Sequence, residues 1–319
     1  MKEYKTLHEL IGILQSRGLI IDDPRDAEAF LSGVNYYRFT GYALPFLTDR
    51  EHYKPGSTFG KIQAIYTFDR QLRDLFAEAL EVIELTFRTV MAREVARKIG
   101  AAGYLDPDNY RDEDSYNEAI DPVWADYEQS EERCVQHFKR QDEVPPIWAI
   151  VEVASFGHLS RLFKALKNEY RDPVSKLYGF DSSKFMCSLL QHLCVLRNRC
   201  AHHSRIYDLP WGQRDEAKDV SADPNVASRR RQLYIFPELK EWSKLKAIGV
   251  RVHPYRPAFY QAALLYRFLK YTPANVFDVA DWKKRAADLL LAAPGAPEVG
   301  LNLKGLLGVP PNPLTSPFW

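Results

Sequence analysis

Apolar positions recur at helical spacing along most of this chain, and proline or glycine stands where the spacing fails. Leu7, Leu10, Ile11 and Leu14 share one face of a helix over residues 6–17. Asp23 followed by Pro24 reads as an N-cap with proline in the first helical position. The aromatic stretch "NYYRFTGYALPFLTD", residues 35–49, is broken by Gly41 and Pro45 and predicts short turns or a hairpin-like element. Residues 57–99 carry the strongest pattern. No proline or glycine follows Gly60 there, and Ile62, Ile65, Phe68 or Asp69, Leu72, Phe76, Ala79, Ile83, Phe87 and Val90 trace a broad stripe. Forty helical residues span roughly 60 Å at 1.5 Å per residue, which leaves room for a kink or break.

Beyond Gly100 the acidic, turn-rich run "AAGYLDPDNYRDEDSYNEAIDP" predicts a surface excursion, then a charged helix over 122–141 ended by Pro145 and Pro146. "IWAIVEVASFGHLSRLFKAL" predicts one amphipathic helix with Gly157 interrupting its middle. Over 182–203, Leu189, Leu193, Leu196 and Cys200 fall at i, i+4, i+7 and i+11, pinning one side into a core. Residues 209–232 are polar, and the run "SRRRQ" at 228–232 reads as a solvated loop. A helix at 256–271 precedes a Pro/Gly-rich tail from 294, in which Phe318 and Trp319 read as anchors in a groove. Strand signals are short and few, and there is no internal repeat. The expected fold is mainly α. Three regions are expected: an N-terminal helical and aromatic one at 1–56, a helical domain at 57–272 with a charged insertion near 101–145, and a C-terminal helix and tail at 273–319.

Composition changes this picture little. Hydrophobic residues at 46% and charged residues at 27% of 319 suit a soluble globular protein with a sizeable core. A formal charge of +1 gives no global pull on a polyanion, so any nucleic-acid site must rest on a local cluster. The cysteines, Cys134, Cys187, Cys194 and Cys200, show no CxxC spacing, and the last three fit small buried apolar groups better than disulfides or zinc ligands. The opening residues lack a signal-peptide core with a cleavage site, and no stretch approaches the roughly 20 apolar residues of a membrane span. A cytoplasmic protein is expected.

The chemistry concentrates in "CVLRNRCAHHSRIYD", which sets Arg197, Asn198, Arg199, His202, His203 and Arg205 at the end of a leucine-rich helix. Asn198 and His202 are i and i+4, about 40° apart around a helix, whereas Arg197 and His202 are i and i+5, about 140° apart. They converge on one phosphate only if the helix ends or tightens near Cys200, or if a partner chain completes the site. Metal-free RNA cleavage uses the ribose 2′-hydroxyl as nucleophile. It needs a group titrating near neutrality and cationic donors for the developing negative phosphorane. Histidine supplies the first, and arginine supplies a bidentate phosphate clamp. The segment has no carboxylate cluster, so neither a metal nor another cofactor is expected. The residues alone leave two readings open: an RNA-cleaving site, or a helix end whose polar groups cap carbonyls and complement the dipole.

"RNRCAHHSRIYD" resembles the signature of the Abi-like proteins, the AbiD/AbiF group of abortive-infection phage-resistance proteins in the HEPN superfamily. That motif is Arg, a polar residue, three or four further positions and His, matched in order by Arg197, Asn198 and His202. "NYYRFTGYALPF", "YTFDRQLRDLFAEALEVIELTFRT" and "PPIWAIVEVASFGHLSRLF" resemble three further segments of the family, in the family's order. The tail "GLLGVPPNPLTSPFW" resembles the closing Gly-Phe-Pro-x-x-Trp pattern loosely, with Val309 at the aromatic position and Pro313 at the tryptophan. The resemblance implies a HEPN-type helical bundle, here with additional N-terminal helices and an irregular C-terminal tail. It also implies a metal-independent endoribonuclease of anti-phage abortive infection, acting on RNA at a site assembled from two facing motifs, and in some members a small structured non-coding RNA partner. The nearest second motif, Arg133 and His137, reads as a solvated i, i+4 pair, so a composite site points to a homodimer. The alternatives are a non-catalytic RNA-binding HEPN module and a regulatory partner of another defence protein.

Other residues carry paired readings. His203 is an acid beside a His202 base, or a carbonyl-capping neighbour. Arg205 adds phosphate charge or lies in solvent. Glu84 and Arg88 are by default an exposed i, i+4 ion pair; the resemblance instead sets them near the site. Tyr36, Tyr37, Arg38 and Tyr42 offer stacking to unpaired RNA bases, or form an aromatic core. Glu152, Ser155, Phe156 and Gly157 read as a packing segment, with Gly157 admitting a neighbouring helix.

Overall fold

The computed structural model describes residues 3–49, 51–207, 258–307 and 309–316. Helix α1 (Leu7–Ser16) opens with a capping box in which the Thr6 hydroxyl accepts the Glu9 N–H and the Glu9 carboxylate accepts the Thr6 N–H. Asp23 caps α2 (Pro24–Gly33) through the N–H groups of Arg25 and Asp26. The aromatic stretch that follows is not a hairpin. Asn35 accepts the Tyr37 N–H at 2.9 Å and starts α3 (Tyr36–Ala43), and a 3-10 turn continues over Leu44–Phe46. Buried Phe39, Tyr42, Ala43 and Phe46 stand at i, i+3, i+4 and i+7, so a helical period underlies the glycine and proline. Pro45 falls in the first turn of the 3-10 segment, where its missing N–H costs nothing.

Helix α4 (Phe59–Ile99) runs unbroken for 41 residues. The Thr58 hydroxyl caps it at the Lys61 N–H, and Gly100 at φ 79° ends it. Helices from both halves of the chain pack on it, so apolar side chains such as Phe68, Phe76, Ile83, Phe87 and Met91 are buried along most of its length. Each contributes about 1.5–3 kcal/mol, which is why no break appears.

The segment after Gly100 is less peripheral than its composition suggests. Tyr104 and Tyr110 are fully buried, and the Tyr104 hydroxyl donates to the Pro145 carbonyl at 2.8 Å. The single charged helix becomes two, α5 (Glu113–Gln129), which carries Pro122 internally, and α6 (Arg133–Gln141). Likewise "IWAIVEVASFGHLSRLFKAL" forms α7 (Ile147–Val153) and α8 (Phe156–Ala165). The break lies at Ala154 and Ser155, not at Gly157: the Ser155 hydroxyl caps α8 at the His158 N–H, 3.2 Å away, while its own N–H donates to Asp126 at 2.8 Å. Gly157 admits no close neighbour, since a Cβ there would come no nearer than 4.0 Å to another atom.

Helices α9 (Asn168–Leu177) and α10 (Ser183–Ala201) lead to the motif, and α11 (Ala258–Leu269), α12 (Val279–Leu291) and the short α13 (Leu303–Leu306) complete the described chain. The tail is partly regular: Val299, Leu301, Leu303 and Leu307 are buried, and the Leu307 carbonyl accepts the Phe259 N–H. One contiguous hydrophobic core runs from Ile11 to Leu307. The described residues form isolated β-bridges only, so the fold is mainly α. Among them, no helix is long and apolar enough to cross a membrane. Residues 209–232, Phe318 and Trp319 lie outside the described residues.

Candidate active site at the end of α10

The apolar side of α10 is fixed first. Leu189, Leu190, Leu193, Leu196 and Cys200 are buried as α10 packs on α4, α8 and α9. Burial pushes the Cys194 and Cys200 thiols up to about 12, so both are inert apolar groups at neutral pH. Arg197 and Asn198 come out on the other side, the first half-buried and the second exposed.

The helix stops at Ala201. The His202 N–H donates to Asn198 O at 2.9 Å, the His203 N–H to Cys200 O at 3.0 Å and the Ser204 N–H to Arg199 O at 2.8 Å. These bonds satisfy carbonyls that a helix end otherwise leaves open. The turn requires a left-handed residue, and His203 takes it at φ 54°. Glycine is the usual occupant; a side chain there costs about 1 kcal/mol. His202 keeps the helical bond to Asn198 O, so its i, i+5 divergence from Arg197 persists, and the chain leaves the helical path only at His203. A cleft of about 560 Å³ beside α10 is lined by Arg197 and His203, along with Arg73, Arg88, Asp74, Glu81, Glu84 and Glu152. His202 is exposed and outside that lining.

Arg197 is held by a relay. Its Nε donates to Glu84 Oε2 at 3.1 Å and its Nη1 to Asn198 Oδ1 at 3.1 Å. Glu84 also accepts from Arg88 one turn along α4. Arg88 is not an exposed partner. It is 7% exposed and donates to the carbonyls of Val151 and, at 2.6 Å, Ala154. Those carbonyls are open because the chain breaks between α7 and α8. The Ser155 break thus creates the acceptors that anchor Arg88, which orients Glu84, which fixes Arg197.

A second set of bonds holds the residues after the histidines. Arg38 Nη1 donates to His203 O at 2.6 Å, and Arg205 Nη1 donates to Gly41 O. Asp69 accepts the N–H groups of Ile206 and Tyr207 at 3.0 and 2.7 Å and the Tyr42 hydroxyl at 2.6 Å. Arg73 pairs with Asp69 and reaches Ser204 O at 3.3 Å. Tyr42 is therefore a core residue, 2% exposed, with no ring face open to a base. Arg38 and Arg205 are engaged with backbone carbonyls. Tyr36 is half-buried with its ring edge-on to Tyr37, which is exposed. Arg133 and His137 are exposed on α6, outside the cleft lining. Asp69 and Arg73 carry no role in the sequence reading. The available signal was a carboxylate standing on the apolar stripe beside Phe68.

Among the described residues, no three His, Cys, Asp or Glu side chains converge as metal ligands. What the geometry defines is a mainly α protein in which an anchored Arg197 and His203 border a cleft at a helix end, with His202 exposed beside it in the chain. The chain matches the Abi-like protein family over residues 29–208, more than half its length, and belongs to that family. The matched span includes α3, α4, α10 and every contact of the two networks above. Membership supports a role in abortive infection, a defence against phage. No curated protein and no solved structure matches the chain.

Proposed function

We propose that this protein is a metal-independent endoribonuclease of phage defence, built on a HEPN-type bundle and acting on RNA in the cytoplasm. The observation that carries this reading is the Arg88–Glu84–Arg197 relay, which fixes a cation in the cleft that His203 also lines, at the end of a rigid helix. Three of the five guanidinium N–H groups of Arg197 are committed within the protein, and the others serve a phosphate oxygen. In the reaction the ribose 2′-oxygen attacks the adjacent phosphorus and the 5′-oxygen leaves, giving a 2′,3′-cyclic phosphate and a 5′-hydroxyl. One histidine takes the 2′-proton, the other or a water gives a proton to the leaving 5′-oxygen, and Arg197 donates to the phosphorane. Asn198 holds the Arg197 guanidinium in plane.

One chain supplies no net positive charge for this. The cleft carries Arg73, Arg88 and Arg197 against Asp74, Glu81, Glu84 and Glu152. A homodimer with a composite site, the two Arg197 and histidine sets facing across a two-fold axis, is the assembly that the family resemblance implies. A small structured RNA partner, as the family resemblance implies, would bind by the same local contacts.

The test is cleavage of a single-stranded oligoribonucleotide in chelator. Wild type should yield 2′,3′-cyclic phosphate ends, and His202→Ala and His203→Ala are assayed separately. Loss of about 10²-fold or more in one of them identifies the proton-transfer group. Full activity in both, or activity abolished by the chelator, overturns the mechanism. RNA bound tightly but never cut supports the non-catalytic RNA-binding module instead.

A further inference from the structure

We propose that Arg38 and Asp69 are positioning residues for the histidine end of the site, holding the backbone of residues 203–207 and with it the His203 imidazole. Their effect on cleavage rests on the ribonuclease reading above; their hold on the backbone does not.

The chain beyond α10 has lost its helical bonds, and an exposed segment would normally give those groups to water. Here they go to distant residues. His203 O is taken by Arg38 from α3, Ser204 O by Arg73, and the Ile206 and Tyr207 N–H groups by Asp69 from α4. Asp69 is fully buried and Arg73 is 5% exposed. Burying such charges costs several kcal/mol unless each is paired and hydrogen-bonded. That condition is met: Asp69 accepts from Arg73, the Tyr42 hydroxyl and two backbone amides, filling its two oxygens. A buried carboxylate with both oxygens filled holds its partners rigidly in place.

That geometry is imposed on the residue that needs it most. His203 sits in the left-handed region, which persists only where the surroundings over-determine it. Its carbonyl is gripped on one side, and three and four residues further on the chain is pinned by Asp69. Its imidazole shares the cleft with Arg197. A displacement of roughly 1 Å in a reacting group costs up to about 10²-fold in rate. Arg38 is exposed and donates to a single carbonyl, so its removal takes away the grip without opening the core.

Arg38→Ala and Asp69→Asn in the full chain test this. Steady-state cleavage of a single-stranded oligoribonucleotide is measured together with amide hydrogen exchange over 203–207. For Arg38→Ala, kcat should fall about tenfold or more with KM and salt dependence unchanged, and the 203–207 amides should exchange faster. Asp69→Asn should accelerate exchange at Ile206 and Tyr207 most. If Asp69→Asn does not fold, Arg38→Ala carries the test alone. A raised KM with a shallower salt slope and unchanged exchange overturns the proposal, because Arg38 then contacts RNA directly. Unchanged kcat with unchanged exchange overturns it as well. If wild type cuts no RNA, the ribonuclease reading fails and exchange alone decides: faster exchange sustains the grip, and unchanged exchange removes it.

Discussion

Arg88 and His203 act through what they touch, and two substitutions separate their roles. Arg88→Ala removes the donor from the Val151 and Ala154 carbonyls and leaves the Glu84 carboxylate short of a partner in a nearly dry site. A loss of about 3 kcal/mol in denaturant unfolding is expected, far more than for an exposed ion pair. Glu84→Gln keeps the shape and weakens only the charge; it should lower cleavage about tenfold with a small change in unfolding midpoint. Equal loss of stability in both variants would mean the relay is only structural. His203→Gly works the other way. Glycine relieves the left-handed backbone, so stability should hold or rise by up to about 1 kcal/mol while the imidazole is gone. A fall in cleavage in that variant is then chemical, not a result of unfolding.

At the scale of elements, the break between α7 and α8 connects helix capping to the site. Ser155→Ala loses the cap at the His158 N–H and should cost about 1 kcal/mol, read by thermal or denaturant unfolding. If α7 and α8 fused in its absence, the Ala154 carbonyl would accept the His158 N–H and Arg88 would lose an acceptor, so cleavage should fall in parallel. Helix α10 makes a second, chemical prediction. Cys187, Cys194 and Cys200 lie buried along it, with burial holding their thiols up, while Cys134 on α6 is exposed. Under native conditions a thiol-alkylating reagent should modify Cys134 alone, and mass analysis after digestion checks this. Rapid labelling of Cys200 would mean that the end of α10 opens readily.

The molecule as a whole carries a pH dependence from a histidine outside the motif. His192 on α10 donates toward Gln261 on α11 at 2.7 Å, and burial holds its imidazole below the ordinary value of about 6.5. The folded state therefore keeps His192 neutral where the unfolded chain takes up a proton. Stability from this group is present above about pH 6.5 and is lost as pH falls toward the depressed folded value, by at most about 1.4 kcal/mol per pH unit. Unfolding measured between pH 7.5 and 5 should show that slope, and His192→Gln should flatten it. Assembly is also a property at this scale. If the site is completed by a second copy, specific activity should rise with protein concentration and plateau as sedimentation reports dimer. Concentration-independent cleavage by a monomer would remove the composite site.

The amino-acid sequence determined what depends on neighbours three and four positions away. The stripes of α1, α4 and α10, the cap at Asp23, and the order of Arg197, Asn198 and His202 are all local patterns. Local patterns misread the elements where punctuation and period disagree: α3 forms through Gly41 because four apolar residues keep helical spacing, and α8 starts at Ser155 because a hydroxyl caps it. Only the tertiary structure decided who meets whom. Glu84 reaches Arg197 across 113 positions, and Asp69 reaches Ile206 and Tyr207 across 137 and 138. Each was visible beforehand as a charged residue on or beside an apolar helix, and nothing in a helical period names its partner. The partner is set by how α3, α7 and α10 close around α4 and bring those charges within reach of one another.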